Sequence, residues 1–133
     1  MAGEKVLVVD DDPDIRDVLT VILESEGYQV LTARNGIECI DRLNKEKPDL
    51  MILDLLMPKM DGFAVHKELQ NAKWSGYKGM PILILTSVRE EASHRRYQLE
   101  TGQELSVDCY IEKPISPEVL IETVGRLIRC KQR

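Results

Sequence analysis

Cysteine is scarce in this sequence, and Cys39, Cys109 and Cys130 are its only three. Odd in number and far apart, they offer neither a metal-ligand spacing nor a disulfide framework. Cys39 and Cys109 read as small core residues and Cys130 as a thiol in the tail. Also missing is any uncharged apolar stretch long enough to span a bilayer, although 43% of the residues are hydrophobic. The opening Met1-Ala2-Gly3-Glu4-Lys5 lacks the charged-then-apolar layout of a secretion signal. A cytoplasmic protein without a membrane partner is therefore expected. Nor is there an excess of positive charge: the formal net charge is −5, which argues against sequence-independent binding to nucleic acid and makes any DNA role indirect. No internal repeat or low-complexity segment appears. With 133 residues the chain is expected to be one domain, with a core over about residues 4–129 and a basic tail at 130–133.

What the sequence does contain is a series of short apolar runs, each stopped by polar residues. The most informative is Leu50-Met51-Ile52-Leu53-Asp54, bounded by Pro48 and by a turn at Pro58 and Asp61-Gly62, and it reads as a buried strand with a carboxylate at its lip. Burying such a carboxylate costs several kcal/mol, about 3 or more, unless it is paired or bound to a cation. Lys5 to Val9 is a similar strand ending at Asp10-Asp11-Asp12-Pro13. A helix follows with Ile15, Val18, Leu19, Ile22 and Leu23 on its inner face, Asp12 or Asp14 near its start and Gly27 as its stop. Tyr28–Leu31 is a second strand, and Asn35-Gly36 opens a second helix with Ile37, Ile40 and Leu43 inward. A third helix follows Gly62 with Val65, Leu69 and Ala72 inward, and residues 73–79 read as a loop. Ile82–Leu85 forms a fourth strand ending at Thr86-Ser87; residues 88–106 are poorly periodic and read as a fourth helix. Val107–Ile111 is a fifth strand, closed by Glu112-Lys113-Pro114. Ser116 and Pro117 cap a last helix carrying Leu120, Val124, Leu127 and Ile128, with a frayed end from Arg129.

Five apolar strands alternating with five helices imply an α/β fold, a doubly wound parallel sheet covered on both faces. Ligands of such sheets bind outside the carboxyl ends of the strands, where strand order reverses. Asp10, Asp11, Asp54, Thr86 and Lys113 all fall at that edge, and a strand order of 2-1-3-4-5 makes the three carboxylates converge. The usual resolution of such crowding is a hard cation, and magnesium fits best because it takes a few carboxylates plus a phosphate. Lys113 and the Thr86 hydroxyl suit a phosphoryl group, the first as a point charge and the second as a donor. Each residue also has a plainer reading. The aspartates before Pro13 complement a helix dipole, Asp54 fits a turn, Thr86-Ser87 ends a strand, and Lys113-Pro114 sits in a loop. Those readings do not account for all of them sharing one rim.

Together, Val8-Val9-Asp10-Asp11-Asp12-Pro13, Asp54 with Met57-Pro58 and Asp61-Gly62, Thr86-Ser87 and Lys113-Pro114 resemble the receiver domain of two-component response regulators, over essentially the whole chain. The resemblance implies a flavodoxin-like fold and a phosphoacceptor, Asp54, that takes its phosphoryl group from a histidine kinase or phosphotransfer protein. It implies Mg2+ held by Asp11 directly, by Asp10 through water, by Asp54 and by the backbone carbonyl of Leu56. Thr86, Ser87 and Lys113 would form the phosphoryl-binding and switch set, with a cis Lys113-Pro114 bond. Tyr110 matches the switch aromatic, and equally fits a strand residue packing on the rim. Apolar Leu56 and Val88 flank the route of attacking water and suggest slow dephosphorylation. The output would be a switched surface around the fourth helix, fifth strand and last helix, acting on a downstream protein target. The protein would be a monomer or a phosphorylation-dependent dimer.

Three rivals follow from the same residues. A haloacid-dehalogenase-type phosphatase wants an acid two residues beyond its nucleophile, where this chain has Leu56, so an enzyme acting on other substrates is disfavoured. A receiver fold used only for binding has no need for three converging carboxylates. A receiver cut from a larger regulator differs in extent rather than class, and a free-standing relay is the expectation.

Overall fold

A computed structural model describes residues 3–86 and 109–131 of the chain. Its sheet has five strands, β1 (Lys5–Val9), β2 (Gln29–Ala33), β3 (Leu50–Asp54), β4 (Ile82–Thr86) and β5 (Cys109–Glu112). They are parallel throughout and ordered β2-β1-β3-β4-β5. The helices are α1 (Pro13–Ser25), α2 (Gly36–Glu46), α3 (Gly62–Leu69), a 3-10 helix at Ala72–Tyr77, and α4 (Pro117–Lys131). The expected fourth helix at 88–106 lies outside the described residues.

Strand periodicity explains the layering, because successive side chains point to opposite faces. Leu7, Val9, Met51, Leu53 and Ile84 pack on one face with Cys39 and Leu43 of α2 and Phe63 and Val65 of α3. Val6, Val8, Leu50, Ile52, Leu83, Leu85 and Ile111 pack on the other with Leu19 and Leu23 of α1 and Leu120, Val124 and Ile128 of α4. All of β3 is buried. Each fully buried leucine contributes about 2 kcal/mol, so the central strands hold the sheet and fix the height of the polar residues at their ends.

The helix ends follow their capping residues. Asp12 caps α1 through a bond from the Asp14 N–H, with Pro13 at the first turn. Asn35 and Asp61 cap α2 and α3 in the same way. Ser116 accepts a weaker bond, 3.4 Å long, from Val119 at the start of α4. Gly27, at φ 92°, lets the chain turn after α1.

Several expectations need correction. Val18 and Ile37 are 51% and 58% exposed, so neither lies on an inner face. In α2 the buried residues are Gly36, Cys39 and Leu43; Gly36 abuts Met60, where an added Cβ would lie 2.6 Å from the carbonyl oxygen. The small residues thus face the neighbouring loop and turn Ile37 outward. The third helix ends at Leu69, leaving Ala72 exposed, and the expected loop over 73–79 contains the 3-10 helix. Buried Trp74 anchors it, its indole donating to Glu68 at 2.6 Å. Strand β2 runs two residues further than expected, and α4 continues to Lys131. Cys109 is only half-buried.

Candidate functional site

Strands β1 and β3 are neighbours, yet their helical connections leave in opposite directions, so their carboxyl ends border the crevice where the sheet order reverses. Asp10 follows β1 and Asp54 ends β3, and both are buried, at 1% and 2% exposure. Asp11, the next residue, is exposed. One carboxylate oxygen from each of the three lies within 4.8 Å of the others.

Lys113 reaches this cluster from the turn after β5. Its ammonium lies 3.4 Å from Asp54 Oδ1 and 3.5 Å from Asp10 Oδ2. The peptide bond from Lys113 to Pro114 is cis, as expected. Asp10 Oδ1 accepts from the Asp12 N–H at 3.0 Å, whereas among the described residues the buried Oδ2 has no hydrogen bond, with the Lys113 ammonium 3.5 Å away. Burial pushes the Asp10 carboxyl up to about 6 from its ordinary 3.8, with the Asp54 charge adding to the rise and the Asp12 amide and Lys113 opposing it.

That shift makes a prediction for the metal-free protein. A carboxyl whose folded pKa is raised favours folding while protonated, and this advantage is lost as pH rises through about 6. Asp10→Asn removes the loss while keeping an acceptor for Asp12. It should raise stability by about 1 to 3 kcal/mol at pH 8, and by nothing measurable below pH of about 4. Denaturant midpoints across pH, taken without divalent ions, test it; a gain that does not grow with pH contradicts the assignment.

The remaining expected site residues are distributed as follows. Thr86 ends β4, its backbone in register with Glu112; its side chain lies outside the described residues, as do Ser87 and Val88. Leu56 is 38% exposed on the turn just beyond Asp54. Tyr110 is 43% exposed on β5, paired in register with Ile84. The structure thus brings together Asp10, Asp11, Asp54 and Lys113.

Further contacts, not expected from the sequence, support the site. Gly62 N–H donates to the Leu55 carbonyl and Gly36 N–H to the Met60 carbonyl, tying the loop after β3 to α2 and α3. Arg16 donates to the carbonyl of Asp10 at 2.8 Å. Its place in the first turns of α1 is a usable signal, since helical side chains tilt toward the N-terminus.

Comparison with known proteins decides the family. Residues 6–125 match the response regulator receiver domain. The chain belongs to that family. This receiver is 40% identical over 127 residues to the alkaline phosphatase synthesis transcriptional regulatory protein PhoP of Bacillus subtilis, covering 96% of this chain and 49% of that protein. It is 39% identical to the probable transcriptional regulator ycf27 of Porphyra purpurea, covering 95% of this chain and 48% of the relative. The receiver therefore spans about half the length of these curated relatives. Among solved structures it resembles the signal receiver domain of a histidine kinase from Syntrophus aciditrophicus, with a TM-score of 0.83 and 34% identity over 98% of this chain and 93% of that one. It also resembles the chemotaxis protein CheY4 of Vibrio cholerae, with a TM-score of 0.78 and 32% identity over 95% and 99% of the two chains. The flavodoxin-like order and the signalling class follow. Among the described residues no helix is long and apolar enough to cross a membrane.

Proposed function

We propose that Asp54 is the phosphoacceptor of this receiver, taking a phosphoryl group from the phosphohistidine of a histidine kinase or phosphotransfer protein. The observation that carries the reading is the approach of three carboxylates to within 4.8 Å, with the Lys113 ammonium on two of them. A buried oxygen of Asp10 with no hydrogen-bond donor among the described residues, and hard oxygen ligands with room on the exposed Asp11 side, suit a magnesium ion. Asp10, Asp11, Asp54 and the Leu56 carbonyl would hold it. When bound, the ion offsets charge on the transferring group.

The chain's own residues do the rest by positioning. An Asp54 carboxylate oxygen attacks phosphorus in line as the phosphorus–nitrogen bond breaks, and its electron pair leaves with the imidazole. Lys113 shifts from its carboxylate partners to the new phosphoryl oxygens, joined by the Thr86 hydroxyl and Ser87. Thr86 is drawn inward by that contact, which frees space for Tyr110, and the surface next to β5 and α4 changes its preferred arrangement. A downstream protein, or a further domain such as the longer relatives have room for, reads that surface.

Intact-mass spectrometry after incubation with magnesium and acetyl phosphate tests the reading. One phosphoryl group is expected on the wild type, and none on Asp54→Asn or without magnesium. No adduct, under conditions that label a control receiver, replaces the reading with that of a binding module working without phosphorylation.

The adduct should be long-lived, because apolar Leu56 and Val88 orient no water toward it. Replacing Leu56 with Asn and Val88 with Glu should shorten its half-life by about tenfold or more. An unchanged half-life contradicts this assignment.

A further inference from the structure

Asp11 presents a puzzle of support. Among the described residues nothing hydrogen-bonds its carboxylate, although that group must meet two buried partners across the crevice. Its direction is set by the backbone, above all by the peptide that joins it to Asp10. The N–H of Asp10 is tied to the Ala33 carbonyl at 3.1 Å, which fixes one side of that residue. The other side, the Asp10 carbonyl, is part of the Asp10–Asp11 peptide itself, and it accepts 2.8 Å from Arg16 Nη1.

We infer that Arg16 is a positioning residue for the metal site, holding the Asp10–Asp11 peptide so that both carboxylates face the crevice. The inference rests on the magnesium-binding reading above and names a residue that touches neither metal nor phosphoryl group. Its geometry suits the task. The guanidinium bonds the peptide carbonyl and is not among the groups that act on the Asp10 carboxyl, so it orients the acidic pair without neutralising it. Arg16 lines a cleft of about 550 Å³ with Arg34, Glu38, Arg42 and Lys45.

The other cations of that cleft are committed elsewhere. Arg34 is forked onto Glu38, at 2.9 and 2.7 Å, Arg42 Nε donates to the Thr32 carbonyl at 3.2 Å, and Lys45 pairs with Asp41 at 3.1 Å. Arg16 alone among them turns toward the β1–α1 turn. Glu38 also feels it: the carboxyl is held below its usual range chiefly by Arg34, with Arg16 adding to the effect. The bond to the Asp10 carbonyl thus sets the position of the guanidinium.

Magnesium titration by calorimetry of the full chain, wild type against Arg16→Met and Arg16→Lys, tests the inference. Methionine keeps the apolar stem and removes every donor, and lysine keeps a donor of different shape. Outer-sphere partners of metal ligands are worth about ten- to hundredfold in affinity. That loss is expected for Arg16→Met, with partial recovery in Arg16→Lys. A purely structural role predicts instead lower denaturant midpoints in both variants and unchanged magnesium affinity in the folded fraction. An affinity for Arg16→Met within about twofold of wild type, below the range expected for such partners, overturns the inference. Should Arg16→Met not fold, Arg16→Gln, whose amide is too short to reach the carbonyl, is judged by the same criterion. A wild-type protein that takes up no magnesium removes the underlying reading and the inference with it, whereas normal wild-type uptake with normal uptake by the variant removes only the role of Arg16.

Discussion

Gly62→Ala should lower stability by about 3 kcal/mol or more, and Gly62→Val should leave little folded protein. An added Cβ at this position would lie 2.6 Å from the Asp54 carbonyl oxygen and 2.9 Å from Leu55 Cα. Both obstacles are backbone of the central strand's exit, so no side chain can swing aside. Relief requires β3 and α3 to separate, which also stretches the 2.9 Å bond from the Gly62 N–H to the Leu55 carbonyl. Gly76 supplies the control, since a Cβ there meets nothing within 4 Å; Gly76→Ala should change stability by less than about 1 kcal/mol. Denaturant midpoints of the two variants decide the matter. Equal midpoints would mean that α3 is free to move away from the strand.

Lys113→Met is expected to cost about 2 to 3 kcal/mol at pH 8 without divalent ions. The substitution leaves Asp10 and Asp54, both nearly inaccessible, facing each other with no ammonium at 3.5 and 3.4 Å. The sign of the pH dependence is fixed by the upward displacement of Asp10 to about 6. Lys113 opposes that rise, so without it the Asp10 carboxyl moves further up, and the penalty is greatest above its folded value, where it is charged. As pH falls toward about 5 it takes up a proton and the penalty should shrink. Magnesium should also reduce it, because a divalent ion supplies the missing charge. A penalty that is independent of both pH and magnesium would assign Lys113 a packing role rather than an electrostatic one.

Much of this architecture was readable from the order of residue types. Continuous apolar runs bounded by Asp, Pro and Gly gave β1, β3 and β4 with ends correct to a residue, because buried central strands tolerate no interruption. The ends of β1 and β3 carried Asp10 and Asp54 to one rim, and the turn after β5 brought Lys113 there, so the site followed from the strands. Helix faces were less legible. The stripe Ile37–Ile40–Leu43 competed with Gly36–Cys39–Leu43, and close approach to Met60 decided for the smaller residues. In α1, Val18 sits at the margin of the stripe defined by buried Leu19 and Leu23. The 3-10 helix was invisible for a different reason: six residues are too few for a period to emerge, and its anchors are scattered side-chain bonds, from Trp74 to Glu68 and from Tyr77 to the Leu43 carbonyl. Arg16 escaped notice because its partner is a backbone carbonyl, which no residue type announces.

The position of Trp74 has a practical consequence. It is the chain's only tryptophan, and it lines a cleft with Lys47, Pro48, Asp49 and Met80, residues that precede β3 and β4. It therefore lies under the amino ends of the strands, a full strand length of about 16 Å from the carboxylates. Its intrinsic fluorescence should follow the loss of the fold while staying nearly silent when a cation or phosphoryl group arrives at the opposite edge. The receiver carries a built-in optical reporter of unfolding, separated by the length of its strands from the chemistry that other probes would follow.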